Sequence, residues 1–511
     1  MPKSWLVPRR GLSPEKEGVE TSRRPLHSPL MGKAPSIPDV IDQLSAIYDE
    51  SVENLRRAVA AYVRDRRPPN PKQRTAGAFA YPELRVDYAG KIPRPTIGRA
   101  FARLTQPGTY ASSIARPGLF RDYLIEQLEH LRRDYDVGIS VGRSASEIPY
   151  PYVIEDSGIE IGDVSTAELS RFFPSNELMH IGDEVADGTW ISGNVRPLAL
   201  FDGPRTDFSL ARLKHYTGTP AEDFQHFVLF TNYVRYVDEF VRVAIDEVRR
   251  DDSRFTAFSV PGAVYERGDL TDAEAQIAAG KWRRHQMPAY HLIAEGRTGI
   301  TLVNIGVGPS NAKTICDHVA VLRPEVWLMI GHCGGLRPSQ TIGDYVLAHA
   351  YLRDDHVLDD MLPPEIPLPA IAEVQQALFD AALTVTGEDE DSVKQRLRTG
   401  TVVTTDDRNW ELRYAASALR FNQSRAVAID MESATVAAQG YRFRVPYGTL
   451  LSVSDKPLHG ELKLPGQANA FYERAISQHL RIGIEALGLL QLEGEGLHSR
   501  KLRSFDEPPL R

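Results

Sequence analysis

The chain has 511 residues, 42% apolar and 25% charged, with a net charge of −8. That length exceeds what one core supports, so two or three domains are expected, and the acidic balance excludes a general nucleic-acid binder. No apolar run reaches the roughly 20 residues that span a bilayer, which excludes a helical membrane protein.

The start, MPKSWLVPRR, lacks the apolar core of a secretory signal, and two cysteines, Cys316 and Cys333, do not make a disulfide framework. A cytoplasmic location is therefore expected. Residues 1–35 are proline-rich with little apolar periodicity and read as a disordered or extended segment. From Pro38, Val40, Ile41, Leu44, Leu55, Val59 and Tyr62 recur at helical spacing. RDRRPPNPKQR then reads as a basic loop from Arg64 to Arg74. LRVDYAG, FARLTQPGTYASSI, GISVG and PYVIED read as strands, with a helix between carrying Leu124, Leu128 and Leu131. Residues 36–205 thus predict an α+β domain without helix-strand alternation.

From about residue 206 apolar strands alternate with helical patterns: FVLF before TNYVRYVDEFVRVAIDEV, then FTAFSV, GITLVNIGVG before AKTICDHVAVL, VWLMIGHCGG and DYVLAHA. That alternation predicts an α/β domain over 206–511, a mostly parallel sheet covered on both faces. Ligands of such sheets bind at the carboxyl ends of the strands. AVAIDMESAT reads as a short strand entering a helix, and TLLSVS as a strand ending on Ser454-Asp455-Lys456-Pro457. Glu432 and Asp455 are thereby two carboxylates at one rim.

Other groups fall on the same rim. Gly306, Gly308, Ser310 and Asn311 lie in a strand-to-helix turn whose amides can approach an anion. The turn lacks the third glycine of a dinucleotide fingerprint, and Pro309 removes a donor, so no nicotinamide cofactor is expected. Gly331 lies in a glycine run that signals close approach of backbone to something else. His332 and Cys333, as strand neighbours, point to opposite faces; His332 is assigned to the crevice and Cys333 to the interior. No HExxH or CxxC occurs, so no metal site is expected. Arg235, after Asn232 and Tyr233, can offer its fork to a phosphate or pair with Asp238 or Glu239. Arg408 is a second guanidinium at the rim, and Trp410 either stacks a purine or fills core.

The order of GVGPSN, GHCGGL, VVTTDD, DMES and VSDKP resembles the purine nucleoside phosphorylase and nucleosidase superfamily. GVGPSNAKTICDH, LMIGHCGGL, TTDDRNWELRY, IDMESAT and VSDKPLHGE, together with the N-terminal region, more narrowly resemble its AMP nucleosidase family. The resemblance covers about residue 36 to the C-terminus. It implies hydrolysis of AMP to adenine and ribose 5-phosphate by a phosphorylase-type domain. It also implies an N-terminal regulatory domain, a homohexamer, activation by Mg-ATP and inhibition by phosphate, with no cofactor needed for the chemistry. Asp455 would protonate the purine at N7, Glu432 would hold the ribose hydroxyls and Met431 would pack on the sugar. Asn232, Tyr233, Gly308, Ser310, Asn311, Gly331, His332, Arg235, Arg408 and Trp410 complete the expected substrate-binding set. Related phosphorylases carry an arginine and a serine for the attacking phosphate where this chain has Met329 and His332. That departure favours water as the nucleophile. Two alternatives stand beside hydrolysis: a phosphorylase, and a nucleotide-sensing protein without turnover.

Overall fold

The computed structural model describes residues 35–91, 100–155, 157–191, 193–280, 284–460, 469–497 and 502–511. The expected N-terminal extension therefore lies outside the described residues, apart from Pro35. By its contacts the chain divides into Met1–Ser36 and Ile37–Arg511, and the helices and strands of the described residues belong to the second unit.

Helix α1 (Ile37–Asp65) buries the face that the spacing marks, with Val40, Ile41, Leu44, Leu55 and Val59 fully enclosed. It stops where the prolines begin, because they cannot supply the next hydrogen-bond donors. The basic segment is not loop throughout. It closes on one turn, α2 (Pro71–Thr75), in which the Asn70 side chain accepts from the Lys72 amide at 3.0 Å. Strands β1 (Ala80–Tyr88), β2 (Gly108–Ser113), β3 (Val137–Glu147) and β4 (Val195–Pro197) form a sheet ordered β3-β1-β2-β4, with α3 (Arg121–Asp134) between β2 and β3. β1 runs antiparallel to both β2 and β3, and β2 runs parallel to β4.

The expected strand over PYVIED is instead a helical turn, α4 (Pro151–Ile154). Proline suits the first helical position: its φ is already helical and its missing N–H is not needed there. The short helix α5 (Thr166–Phe172) follows, with Ser165 as its cap. The expected division at residue 205 falls within α6 (Gly203–Thr217).

The second sheet holds β5 (Phe227–Thr231), β6 (Phe255–Val260), β7 (Ala263–Glu266), β8 (Ala289–Ala294), β9 (Ile300–Asn304), β10 (Val326–Gly335), β11 (Tyr345–Asp354), β12 (Leu397–Thr405), β13 (Ala428–Asp430) and β14 (Tyr447–Asp455). Helices α7 (Val234–Arg249), α8 (Ala273–Ala279), α9 (Pro309–Val319), α10 (Ala372–Thr386), α11 (Glu390–Arg396), α12 (Tyr414–Ser424), α13 (Ser433–Phe443) and α14 (Asn469–Glu493) connect and flank these strands. The order is β13-β12-β11-β14-β10-β5-β9-β8-β6-β7. β9, β5, β10 and β14 are parallel, as are β11, β12 and β13 among themselves. The antiparallel pairs are β11 with β14 and the edge β9-β8-β6-β7, whose last hairpin turns through Pro261 and Gly262. Strand-helix alternation marks the parallel middle but carries no signal for this edge.

β13 also pairs antiparallel with the end of β10, Gly334 opposite Ile429. This closes β10, β14, β11, β12 and β13 into a ring. The first six residues of β10 are buried without a break, as expected of a strand covered on both faces. One apolar cluster runs from Val40 and Leu84 through Phe227 and Leu328 to Leu487, so both sheets share a continuous core.

Candidate active site

Strand β10 ends among glycines, and both expected acids converge on that end. Asp430 follows Ile429, the partner of Gly334, while Asp455 itself lies opposite Gly334 on the other flank, after a register shift between Cys333 and Gly334. The Cys333 thiol marks the space between them. Burial raises its pKa well above the ordinary range, and the negative charges of Asp430 and Asp455 raise it further.

Glu432 is fully enclosed at the start of α13. Its Oε1 accepts from the Gly308 amide at 2.6 Å, and its Oε2 accepts from Asn232 Nδ2 at 2.8 Å. The glycine turn does approach an anion, as its sequence suggests, and that anion is the chain's own carboxylate. Gly308 sits at φ 118°, a conformation that glycine adopts without strain. The glycine run resolves in the same way. A Cβ at Gly331 would lie 2.4 Å from Asn232 Oδ1, so glycine there makes room for the side chain that holds Glu432. Asn232 Oδ1 also accepts from the His332 amide at 3.4 Å.

Asp430 is the partner that sequence reading missed. Its Oδ1 accepts from Thr404 Oγ1 at 2.6 Å, and its Oδ2 accepts from both the amide and the hydroxyl of Ser433, the first residue of α13. Burial pushes both carboxyls above their usual range; the charge of Asp430 raises Glu432 further, while hydrogen bonds from Ser433 and Thr404 oppose the rise at Asp430. Three donors against two, each worth about 1.5–3 kcal/mol to a charged acceptor, leave the charge on Asp430 and the proton on Glu432.

On the other flank Asp455 is half-buried, and its Oδ1 accepts from Ser454 Oγ at 2.7 Å. Gly335 leaves room beside it for the stem of the buried Lys456. His332 is half-buried, its ring 4.8 Å from Tyr233 and 5.5 Å from Tyr236. Tyr236 is itself fixed: its hydroxyl donates to His479 Nδ1 at 2.6 Å, because His479 Nε2 must donate to the Leu450 carbonyl. Cys333 is buried, as the strand alternation requires.

Asn232, Tyr233, Gly308, Gly331, His332 and Glu432 thus form one connected group. Met431 is half-buried beside it. Ser310 is exposed in the first turn of α9, and Asn311 lies against Gly306. Arg235 is half-buried in the first turn of α7, where its charge reaches Asp238. Arg408 is exposed in the turn after β12. Trp410 fills a satellite core, edge-on to Phe421 and Tyr414, the second of the two roles open to it. Among the described residues no group of three or more His, Cys, Asp or Glu is placed to hold a metal ion, and no described helix is long and apolar enough to cross a membrane.

Two family profiles match. "Bacterial AMP nucleoside phosphorylase N-terminus" covers residues 39–197, and "Phosphorylase superfamily" covers residues 265–487. A guanosine phosphorylase from Halorubrum lacusprofundi is 25% identical over 42% of this chain and 86% of its own. A solved AMP nucleosidase from Bacteroides thetaiotaomicron is 26% identical over 56% of this chain and 98% of its own, with a TM-score of 0.41. The AMP nucleosidase of Escherichia coli (strain K12) is 62% identical over 92% of this chain and 97% of its own. With that identity across nearly the whole of both sequences, and with the two profiles in the same order along the chain, the protein belongs to the AMP nucleosidase family.

Proposed function

We propose that this protein hydrolyses AMP to adenine and ribose 5-phosphate, with Asp455 as the acid and Glu432 as the holder of the ribose. The observation that carries the reading is the convergence of the Asp430–Glu432 pair and Asp455 on the end of β10, on either side of Cys333.

In the reaction the C1′–N9 bond breaks and its electron pair moves into the purine. The Asp455 carboxyl donates its proton to N7, so adenine leaves neutral. Such positioned proton transfer contributes typically about 10²–10⁴-fold. Positive charge builds on the ribose ring, and the acidic pair at Asp430 and Glu432 lies where it favours that charge. Water adds its oxygen to C1′ and gives up a proton, which returns through solvent to the Asp455 carboxylate, so that ribose 5-phosphate forms and the acid is restored. Glu432, held by Gly308 and Asn232 before any ligand arrives, accepts from the ribose hydroxyls, with Met431 against the sugar. Tyr233 and His332 supply the aromatic wall, and Ser310 and Asn311 line the helix start. Arg235 is assigned to the 5′-phosphate, with Arg408 as the second cation; Trp410 supports the rim from beneath.

The further assignments rest on the resemblance to the family. Residues 36–205 form the regulatory domain and 206–511 the catalytic one. Mg-ATP activates, phosphate inhibits, the assembly is a homohexamer and the location is cytoplasmic.

The deciding experiment is adenine release from AMP in phosphate-free buffer. Adenine with ribose 5-phosphate is the expected result. Release only when phosphate is added, with ribose 1,5-bisphosphate as the product, would convert the assignment to a phosphorylase. AMP binding without any release would leave a sensor.

A further inference from the structure

Helices α9 and α13 pack against each other, and their starts meet where Gly308 donates to Glu432. At the far ends of the same helices lies a second polar cluster. Arg442 is the last residue but one of α13, ten residues beyond Glu432 and so about 15 Å along the axis. It is buried, and its guanidinium donates to Asp183 Oδ2 at 3.0 Å, to Asp187 Oδ2 at 2.9 Å and to Asp317 Oδ1 at 3.4 Å. Asp317 belongs to α9 and also accepts from Gln439 of α13, whose amide reaches the Lys313 carbonyl at 3.2 Å. Arg205 of α6 donates to Asp183 at 2.7 Å and to the Asp317 carbonyl at 3.0 Å. Arg444, just past α13, donates to the Ala186 carbonyl at 2.7 Å.

Asp183 and Asp187 come from the region matched by the N-terminal profile; Asp317, Gln439 and Arg442 come from the region matched by the phosphorylase profile. A buried ionic network is a weak source of stability, since desolvation offsets most of its attraction. What it supplies is direction: planar guanidinium forks accept only a narrow range of carboxylate placements.

We propose that the segment Asp183–Asp187 is a positioning clamp. Through Arg442 and Asp317 it holds α13 and α9 in register and so sets where Gly308 and Glu432 meet the substrate. The proposal rests on the reading that Glu432 holds the ribose of AMP.

The test is a double-mutant cycle of Asp187→Asn with Glu432→Gln in the full chain. Asp187→Asn should raise KM for AMP about tenfold, with a smaller change in kcat. In the Glu432→Gln background it should add less than about twofold, because the carboxyl group whose place it sets has been replaced. Equal effects in both backgrounds, or a lowered melting temperature with KM unchanged, would overturn the clamp. Should Asp187→Asn fail to fold, Asp317→Asn closes the same cycle from the α9 side.

A readout independent of turnover separates the two ideas. Hydrogen exchange over residues 306–312 should quicken about tenfold in Asp187→Asn as the Gly308–Glu432 contact loosens. Unchanged exchange sinks the clamp even if AMP is cleaved. Quickened exchange in a protein whose wild type releases no adenine would support the clamp and reject the assigned reaction.

Discussion

On the β13 flank of β10, Glu432 is fully enclosed and both its oxygens accept hydrogen bonds. On the β14 flank, Asp455 is half-buried and takes a hydrogen bond from its neighbour Ser454. The contrast fits two kinds of work. A group that holds substrate gains from partners that fix it in advance, since no reorganisation is then needed on binding. A proton donor must be recharged in every cycle, which calls for a path to solvent. The two carboxyls are thus set apart by burial and by the partners that surround each of them.

The comparison breaks first at Asp455. Asp455→Asn should keep AMP binding and lose about 10²–10⁴-fold in kcat; near-normal steady-state kcat would remove it as the acid. Glu432→Gln should cost up to about tenfold in kcat/KM, the scale of a hydrogen bond between neutral groups. That variant also carries a pH signature. Burial, then the charge of Asp430, hold the Glu432 carboxyl above its ordinary range. The stability tied to its proton is therefore complete below the ordinary glutamate range and is lost as pH rises through the folded value. The melting temperature of Glu432→Gln minus that of wild type should grow between pH 5 and pH 9; a constant difference would refute the raised carboxyl.

Gly331→Ala sharpens the same flank without touching an acid. Its Cβ would displace Asn232, so KM should rise about tenfold, matching Asn232→Ala. Unequal KM values in the two variants would show that Gly331 serves another purpose. Arg235→Ala should weaken AMP about tenfold while leaving adenosine nearly unchanged. Equal weakening of both ligands in parallel titrations removes it from the phosphate site. The smallest effect belongs to Trp410→Phe, which should lower stability by about 1 kcal/mol with KM for AMP unaltered; a raised KM would return Trp410 to the purine.

Much of this was legible in the residues because strand ends are. The apolar runs FVLF, VWLMIG and TLLSVS have the length and composition of buried strands, and each is the strand expected. Their carboxyl ends therefore place Asn232, His332 and Asp455 from the residues alone. Asp430 stays hidden, since an acid that closes a strand and an acid that tunes its neighbour look alike in sequence. At the antiparallel edge FTAFSV is legible as the strand β6, whereas β7 and β8 are not, because hairpins leave no helix to alternate with. PYVI misled through its composition: its aromatic and branched residues favour strands, yet Pro151 sets the backbone for a turn of helix. The ring closed by β13 rests on a pairing of two residues, too short for any periodicity to announce.

Cys333 has a consequence for handling as well as for chemistry. Peroxides and alkylating reagents attack sulfur mainly as the thiolate, and here enclosure and two flanking acids keep the proton on the sulfur. A thiol between the two proposed acids should thereby react slowly. The protein should need no reductant to protect that position, and inactivation by a cysteine reagent would report on damage elsewhere.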